Sequence, residues 1–434
     1  MIGAWLRRSA FWVLDAARGG EIRRFYKEIA YINTSGEVNI RQLENLLAHA
    51  SSTTKFYRIY AGKPLSEYPI LTKNDLREYW DDICSSNYRG KKLYTTHTSG
   101  STGIPLTMRW NSEKRHRQLA DIIYFNEIAN QKLGQPYAFY REEGQRYQKS
   151  QIERWKQNLT VIDVTHLDQN KLESICQRLE QRPYFNMCMG YASTHEAVLN
   201  HMLERKGKHE YHLTSLITSS EVLPIEKKLG LKSIIGCQVI DRYSNEENGI
   251  IAQTGDVSDD FNVNYASFHV EILKIDSDEP ASYGEVGRIV ITDLYNYAVP
   301  LIRYETGDLS ICASKKNGWV TRLKTIQGRQ SDIIYDTLGR KITTSNWTVY
   351  MCEFDKIRQY QLIQIAAKKY CLKVNVAKGI YRDADIVYAV KRILGKDAYV
   401  EVDYVTGVPA LSSGKFKKTV CIYKYNPDDY STKD

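Results

Sequence analysis

Thr95-Thr96-His97-Thr98-Ser99-Gly100-Ser101-Thr102-Gly103-Ile104-Pro105 consists almost wholly of hydroxyl side chains and glycine. Lys92-Leu93-Tyr94 before it reads as a short strand, and Pro105-Leu106-Thr107-Met108-Arg109-Trp110 after it reads as another. Glycine lets the backbone come close to a ligand and adopt positive φ. Successive N–H groups and hydroxyls can then converge on one anion, as phosphate-holding nests do. A flexible polar hairpin is the alternative reading of the loop taken alone. It is not a Walker A loop, because Gly103 is followed by Ile104 and Pro105 rather than Lys and a hydroxyl residue. No G-x-G-x-x-G follows a strand either, so a lysine serving a nucleotide here must come from elsewhere in the chain.

The chain downstream alternates. Pro136 to Tyr140, Leu159 to Val164, Leu213 to Thr218 and Gln238 to Tyr243 read as strands, and Phe185 to Met189 is a short apolar run. Lys171 to Arg182 and Ser193 to Arg205 read as helices. Strands separated by helical stretches predict an α/β fold whose mainly parallel sheets are flanked by helices. In such sheets ligands sit beyond the carboxyl ends of the strands. Ser219-Ser220-Glu221 and Tyr243-Ser244 through Glu247 lie at such ends. From Tyr265 to Cys312 the pattern turns to β alternation, a small β region. After Gly328 a smaller α+β unit begins. The expected domains are 1–328 and a small α+β C-terminal domain, 329–434.

Upstream of the loop the chain reads as largely helical, with a helix start at Thr72. Ala4-Trp5-Leu6 and Ala10-Phe11-Trp12-Val13-Leu14 lie near Arg7, Arg8, Arg23 and Arg24. Asp15 interrupts the run and no small-residue cleavage site follows, which makes a poor signal peptide. The segment can lie on a membrane as an amphipathic helix, so peripheral contact through residues 1–30 stays open. Packing against the body of the protein is the preferred expectation.

Composition narrows the class. The chain has 434 residues, 42% hydrophobic and 26% charged, as in a globular protein. Its formal charge of +9 is mild at this length and suits an anionic small molecule. It lacks the concentrated basic stripe of a nucleic-acid binder, and no nucleic-acid partner is expected. No apolar run reaches the ~18 residues needed to span a bilayer. The eight cysteines stand singly, without C-x-x-C or zinc spacing, so buried, reduced thiols of a cytoplasmic protein are expected.

Four further stretches accompany the first. They are Tyr243-Ser244-Asn245-Glu246-Glu247-Asn248-Gly249, Ile302-Arg303-Tyr304-Glu305-Thr306-Gly307-Asp308-Leu309, Gln327-Gly328-Arg329-Gln330-Ser331-Asp332, and Leu411-Ser412-Ser413-Gly414-Lys415-Phe416. Each is weak alone. All five, in this order and spacing, resemble the adenylate-forming superfamily of acyl-coenzyme A synthetases and related ligases. The Pro69-Ile70-Leu71-Thr72-Lys73 segment, the T-S-G-S-T-G-x-P-L loop and the short C-terminal domain are similar to the phenylacetate–coenzyme A ligase and CapK-type branch. The resemblance runs from about residue 65 to the C-terminus.

The resemblance implies ATP and Mg²⁺ as cofactors, a small-molecule carboxylic acid as substrate, and a thiol or amine as acceptor. Coenzyme A is the first acceptor it suggests; a carrier or a sugar-linked amine of capsule biosynthesis is another. It implies that Thr98, Ser99, Gly100, Ser101, Thr102 and Gly103 cradle the β- and γ-phosphates. Glu247 matches the metal-ligand glutamate, with Glu246 as the alternative. Tyr243 and Ser244 match the adenine motif, Asp308 the ribose-binding carboxylate, and Arg329 a cation near ribose or phosphate. Lys415 matches the lysine that bridges the substrate carboxylate and the α-phosphate, a role suited to a mobile point charge. The family's hinge position, two residues after Arg329, is usually acidic or Lys; here it is Ser331, with Asp332 next. A homodimer is compatible with the resemblance. An arylacetate–coenzyme A ligase of catabolism and a non-catalytic nucleotide-binding homologue are the alternative readings.

Overall fold

The computed structural model describes the chain except residues 1, 98–106, 142–148, 165–166, 182–184, 220–222, 256–258, 330–332, 343–346, 348, 355, 409–416 and 431–434. The side chains of residues 2, 97, 327–329, 349, 352 and 427 are also outside the description. The chain divides into two units, Met1–Thr306 with Ser310–Ile326, and Gly307–Leu309 with Gln327–Asp434.

The first unit opens with three helices, α1 (Ile2–Ala17), α2 (Glu21–Ser35) and α3 (Ile40–Thr53). Asp15 does not break α1. Its buried carboxylate accepts from the N–H groups of Ile22 at 3.2 Å and Arg23 at 3.0 Å, and so caps α2. The helices α4 (Lys73–Glu78) and α5 (Trp80–Ile83) follow. The start of α4 is a capping box in which Thr72 and Asp75 exchange side-chain and backbone bonds.

The strands β1 (Tyr94–His97) and β2 (Thr107–Trp110) pair antiparallel, with His97 opposite Thr107. They flank the hydroxyl-rich loop, most of which lies outside the described residues. Asn111 then takes the N-cap position of α6 (Ser112–Ile128), but without capping: its side-chain oxygen instead accepts from the Tyr297 N–H at 3.1 Å.

The large sheet is built from β3 (Tyr137–Arg141), β4 (Leu159–Asp163), β5 (Met187–Tyr191), β6 (Ser215–Ser219), β7 (Gln238–Asn245), β8 (Gly249–Thr254), β9 (Phe261–Val263), β10 (Phe268–Leu273), β11 (Val286–Asp293), β12 (Tyr304–Lys316) and β13 (Trp319–Arg329). The helices α7 (Gln151–Gln157), α8 (Gln169–Glu180), α9 (Ala192–Glu204) and α10 (Ile225–Ile235) lie between its first strands. Among the described residues the strand order is β10-β11-β12-β13-β9-β8-β7-β6-β5-β3-β4. From β4 to β7 all pairings are parallel. From β7 through β8 to β9 they are antiparallel. The β region expected after Tyr265 therefore continues the same sheet. The physical reason is the β7–β8 hairpin: a turn of a few residues can join only antiparallel neighbours, whereas a parallel pair needs a crossover.

Parallel strands covered on both faces must be apolar throughout. Accordingly, Ala138, Cys188, Leu216 and Val239 are buried with Ile175 and Leu179 of α8 and Val198 and Leu199 of α9. The antiparallel half packs Ile251, Val270, Ile289 and Ile291 with Phe25 and Ile29 of α2 and Ala120 and Ile123 of α6.

In the second unit, β14 (Ile334–Tyr335) and β15 (Lys341–Ile342) form a small pair. A four-stranded sheet follows, made of β16 (Gln359–Ala366), β17 (Lys369–Asn375), β18 (Tyr399–Tyr404) and β19 (Thr419–Cys421), in the order β18-β17-β16-β19. The helix Asp383–Leu394 packs Ile386, Ala389 and Val390 into the same core as Leu362, Leu372 and Val374. No helix among the described residues is long and apolar enough to cross a membrane.

Candidate active site

Glu246, Glu247 and Asn248 form the turn between β7 and β8. Gly249, at φ 104°, starts β8 in a conformation that a side chain would strain. The two glutamates face different surroundings. Glu246 is exposed, and its Oε2 accepts from Thr96 Oγ1 at 2.9 Å, at the end of β1 nearest the hydroxyl-rich loop. Glu247 is 6% exposed. Its Oε1 accepts from Lys73 Nζ at 3.1 Å and from Tyr304 Oη at 3.3 Å.

The turn is held from behind. Trp110 Nε1 donates to the Glu247 carbonyl at 3.3 Å, and Lys114 Nζ donates to the Asn248 carbonyl at 2.7 Å. The Asn248 N–H donates to Asn245 Oδ1 at 2.7 Å. Lys114 itself is fully buried, with Nζ 2.5 Å from Asp293 Oδ2 and 4.7 Å from the Phe268 ring centre. Removing one partner of such a pair strands a buried charge, which costs about 3–5 kcal/mol. The position of Glu247 is thus tied to α6 and to the end of β11.

A second tie joins the Pro69–Lys73 segment to the Arg303–Asp308 motif. Leu71 pairs in parallel with Tyr304. The Leu71 N–H donates to the Arg303 carbonyl and the Glu305 N–H to the Leu71 carbonyl, both at 2.9 Å. Lys73 and Tyr304 therefore reach Glu247 from two segments that are themselves bonded together. Arg303 is structural. It sits at φ 51°, buried, with Nε and Nη2 each 3.1 Å from the Glu271 carboxylate and Nη1 on the Ser66 and Tyr68 carbonyls. Burial pushes the Glu271 carboxyl up, and the Arg303 charge opposes that shift.

Tyr243 is buried on β7, one residue before a register shift in the β7–β8 pairing, and its Oη donates to Thr306 Oγ1 at 3.1 Å. Thr306 in turn donates to the Ile289 carbonyl at 3.2 Å. Beside Tyr243, the fully enclosed Arg242 is pushed down to about 10 by burial and still carries its charge at neutral pH. Ser244 follows on β7 and is half-buried. Ser219 ends β6 opposite Arg242. Gly307, at φ 79°, and Asp308 lie on β12, directly after Thr306.

The structure thus brings together Glu247 and Tyr243 of one motif with Tyr304 and Thr306 of another. Thr98 through Gly103, Ser220, Glu221, Ser331 and Lys415 lie outside the described residues, as does the side chain of Arg329, where β13 ends. Lys73, Trp110 and Lys114 were not singled out from sequence as supports for Glu247. Lys73 had a signal in the segment that contains it; Trp110 and Lys114 had none.

A divalent ion fits the donor set at Glu247: a single buried carboxylate, bonded to the Lys73 ammonium and the Tyr304 phenol through Oε1, would leave the remaining coordination to phosphate and water, as Mg²⁺ commonly requires. Among the described residues no cluster of three or more His, Cys, Asp or Glu side chains could hold an ion without such help. Burial pushes the Cys176, Cys188 and Cys237 thiols up to about 12, which disfavours these three as nucleophiles.

No protein-family model matches the chain. Protein CapK of Staphylococcus aureus is 21% identical over 436 residues, which cover 91% of each chain. A 2-hydroxyisobutyryl-CoA ligase, solved in the postadenylation state in complex with R3-HIB-AMP, superposes with a TM-score of 0.66 at 17% identity, over 90% of this chain and 89% of that one. ATP-bound MatB from Rhodopseudomonas palustris superposes with a TM-score of 0.54 at 14% identity, over 75% of this chain and 66% of that one. The chain thus shares its fold with these acyl-coenzyme A ligases and is similar in sequence, at 21% identity, to protein CapK.

Proposed function

We propose that the protein is an ATP-dependent, AMP-forming carboxylate ligase that makes an acyl-adenylate and passes the acyl group to a thiol or an amine. The observation that carries this reading is Glu247, a buried carboxylate fixed between β7 and β8 and bonded to both Lys73 and Tyr304. A buried carboxylate held by an ammonium and a phenol is costly to maintain as mere packing. It suits a site where charge must be neutralised.

Joining a carboxylate to the α-phosphate of ATP brings anions together, so catalysis rests on positioning and charge neutralisation. In this reading Thr98 to Gly103 offer N–H and hydroxyl donors to the β- and γ-phosphates. Ser219, Ser220 and Glu221, at the end of β6, border the nucleotide. Tyr243 lies against adenine with Ser244 beside it, and its bond to Thr306 fixes the ring. Asp308 accepts from the ribose hydroxyls, and Arg329 adds a positive charge near ribose or phosphate. Glu247 holds Mg²⁺, which supplies charge neutralisation at the phosphates. Lys415, from the C-terminal unit, neutralises the charge between the carboxylate and the α-phosphate.

Coenzyme A is the proposed thiol, because the ligases that share the fold are named for it. The CapK relative supports a narrower proposal, in which the activated acid is destined for a capsule or other surface polysaccharide. Pyrophosphate release with ATP, Mg²⁺ and a panel of amino, aryl, fatty and hydroxy acids tests the reading. One acid class should stimulate release well above the no-acid rate. A flat panel with ATP bound and hydrolysed to ADP would contradict it.

A further inference from the structure

Helix α1 is built inside out. Its described residues that are exposed are Trp5, Leu6, Val13 and Leu14, together with Gly3 and three alanines; none is polar. The four large ones are 66%, 53%, 67% and 54% exposed. At about 100° per residue these positions fall on one arc of roughly half the helix. The charged side chains of α1 turn the other way. Asp15 is buried as the cap of α2, and Arg7 and Arg8 are half-buried against the body. An ordinary surface helix shows the opposite distribution.

Four arginines border the arc, against one paired acid, Glu127. At about 100° per residue Arg7 borders Leu14, and Arg18, exposed, follows the last residue of the helix. On the other edge stand Arg8, 3.4 Å from the Glu127 carboxylate, and Arg23, over the Trp12 ring at 5.8 Å. The apolar surface continues onto α7. Arg7 Nε donates to the Trp155 carbonyl at 3.0 Å and its guanidinium lies 5.3 Å from that ring centre, while Ile152 and Trp155 are 65% and 66% exposed. Between them stand Glu153, whose carboxylate accepts from the Ser150 N–H and hydroxyl, and Arg154; the exposed Lys156 follows.

We infer that this face is a docking surface for an anionic phospholipid bilayer, with α1 lying in the plane of the headgroups. A bilayer matches both halves of the pattern: acyl chains accept the uncharged arc, and anionic headgroups accept the arginines on its edges. A protein partner of matching shape would need a row of acids on both sides of an apolar groove. The inference is independent of the catalytic reading, since α1 contributes no residue to the site around Glu247.

The test is sedimentation of the full-length protein with vesicles of phosphatidylcholine alone and with about 30% phosphatidylglycerol. The wild type should sediment with the anionic vesicles, and less at high salt. The triple variant Leu6→Gln/Val13→Gln/Leu14→Gln should bind about tenfold or more weakly with an unchanged melting temperature, because those side chains are already more than half exposed. Arg18→Glu/Arg23→Glu should lose the preference for anionic lipid. Both variants should keep acid-dependent pyrophosphate release in solution, which separates this test from that of the proposed activity. Failure of the wild type to bind, or equal binding by the triple variant, would overturn the inference. So would a dimer in sedimentation velocity that the triple variant dissolves without any vesicle binding, since the face would then join two copies of the chain.

Discussion

Lys73 and Glu247 stand 174 positions apart in the chain and 3.1 Å apart in space, ammonium to carboxylate. Both are shielded, with 25% and 8% of their side chains exposed, so the attraction is stronger than at an open surface. A divalent ion arriving at Glu247 would meet that ammonium as a competitor. Lys73→Met should therefore lower the half-saturating Mg²⁺ concentration for pyrophosphate release by about threefold to tenfold. A raised Mg²⁺ requirement would instead make Lys73 a group that positions the carboxylate.

The two glutamates of the turn should separate cleanly. If Glu247 holds Mg²⁺ as proposed, Glu247→Gln takes a charged oxygen from a hard cation and should cut turnover about a hundredfold. Glu246→Gln keeps an oxygen that can accept from Thr96 and should stay within about threefold of the parent. Steady-state kinetics over an Mg²⁺ series checks both. The reverse order of effects would shift the ligand by one residue.

How much of this was visible in the chain differs from element to element. The strands β3, β4, β6 and β7 announce themselves through continuous apolar runs between helical stretches. The helix start at Thr72 was legible; the capping box that Thr72 forms with Asp75 came from the structure. Glu247 was reached through the resemblance of a whole motif. Its supports were not, because Trp110 and Lys114 act across 137 and 134 positions and no local periodicity encodes such a contact. Asn111 shows the same limit: a good cap residue was diverted to Tyr297 by tertiary packing. For α1 the expectation was packing against the body; Phe11 and Trp12 do pack there, while the uncharged arc points outward.

His195 is fully buried on α9, with Nε2 3.3 Å from the Ile217 carbonyl, and burial lowers it to about 4. The unfolded chain binds this proton near 6.5, so between those values the unfolded state holds more protons than the native one. Stability should be intact above pH ~6.5 and fall as the pH drops towards ~4, by about 3 kcal/mol from this group alone. His195→Gln, which cannot take up the proton, should flatten that acid limb in denaturant melts measured across the range. An unchanged slope would show that other groups carry it.

Lys415 should divide the two half-reactions. The charge between carboxylate and α-phosphate exists only while the adenylate forms. Lys415→Ala should slow adenylate formation by about 10²–10³-fold, the usual cost of losing one preorganised donor. Given synthetic acyl-AMP and the acceptor, the same variant should transfer the acyl group at nearly the parent rate. Equal loss in both steps would assign Lys415 to the acceptor or to the fold.

The most direct measurement is the identity of the nucleotide product when hydroxylamine is present with ATP, Mg²⁺ and the stimulating acid. The account predicts AMP and pyrophosphate in equal amounts, with a hydroxamate formed from the trapped acyl-adenylate. ADP and phosphate as the stoichiometric products would contradict it, because the acid would then have been activated at the γ-phosphate rather than the α-phosphate.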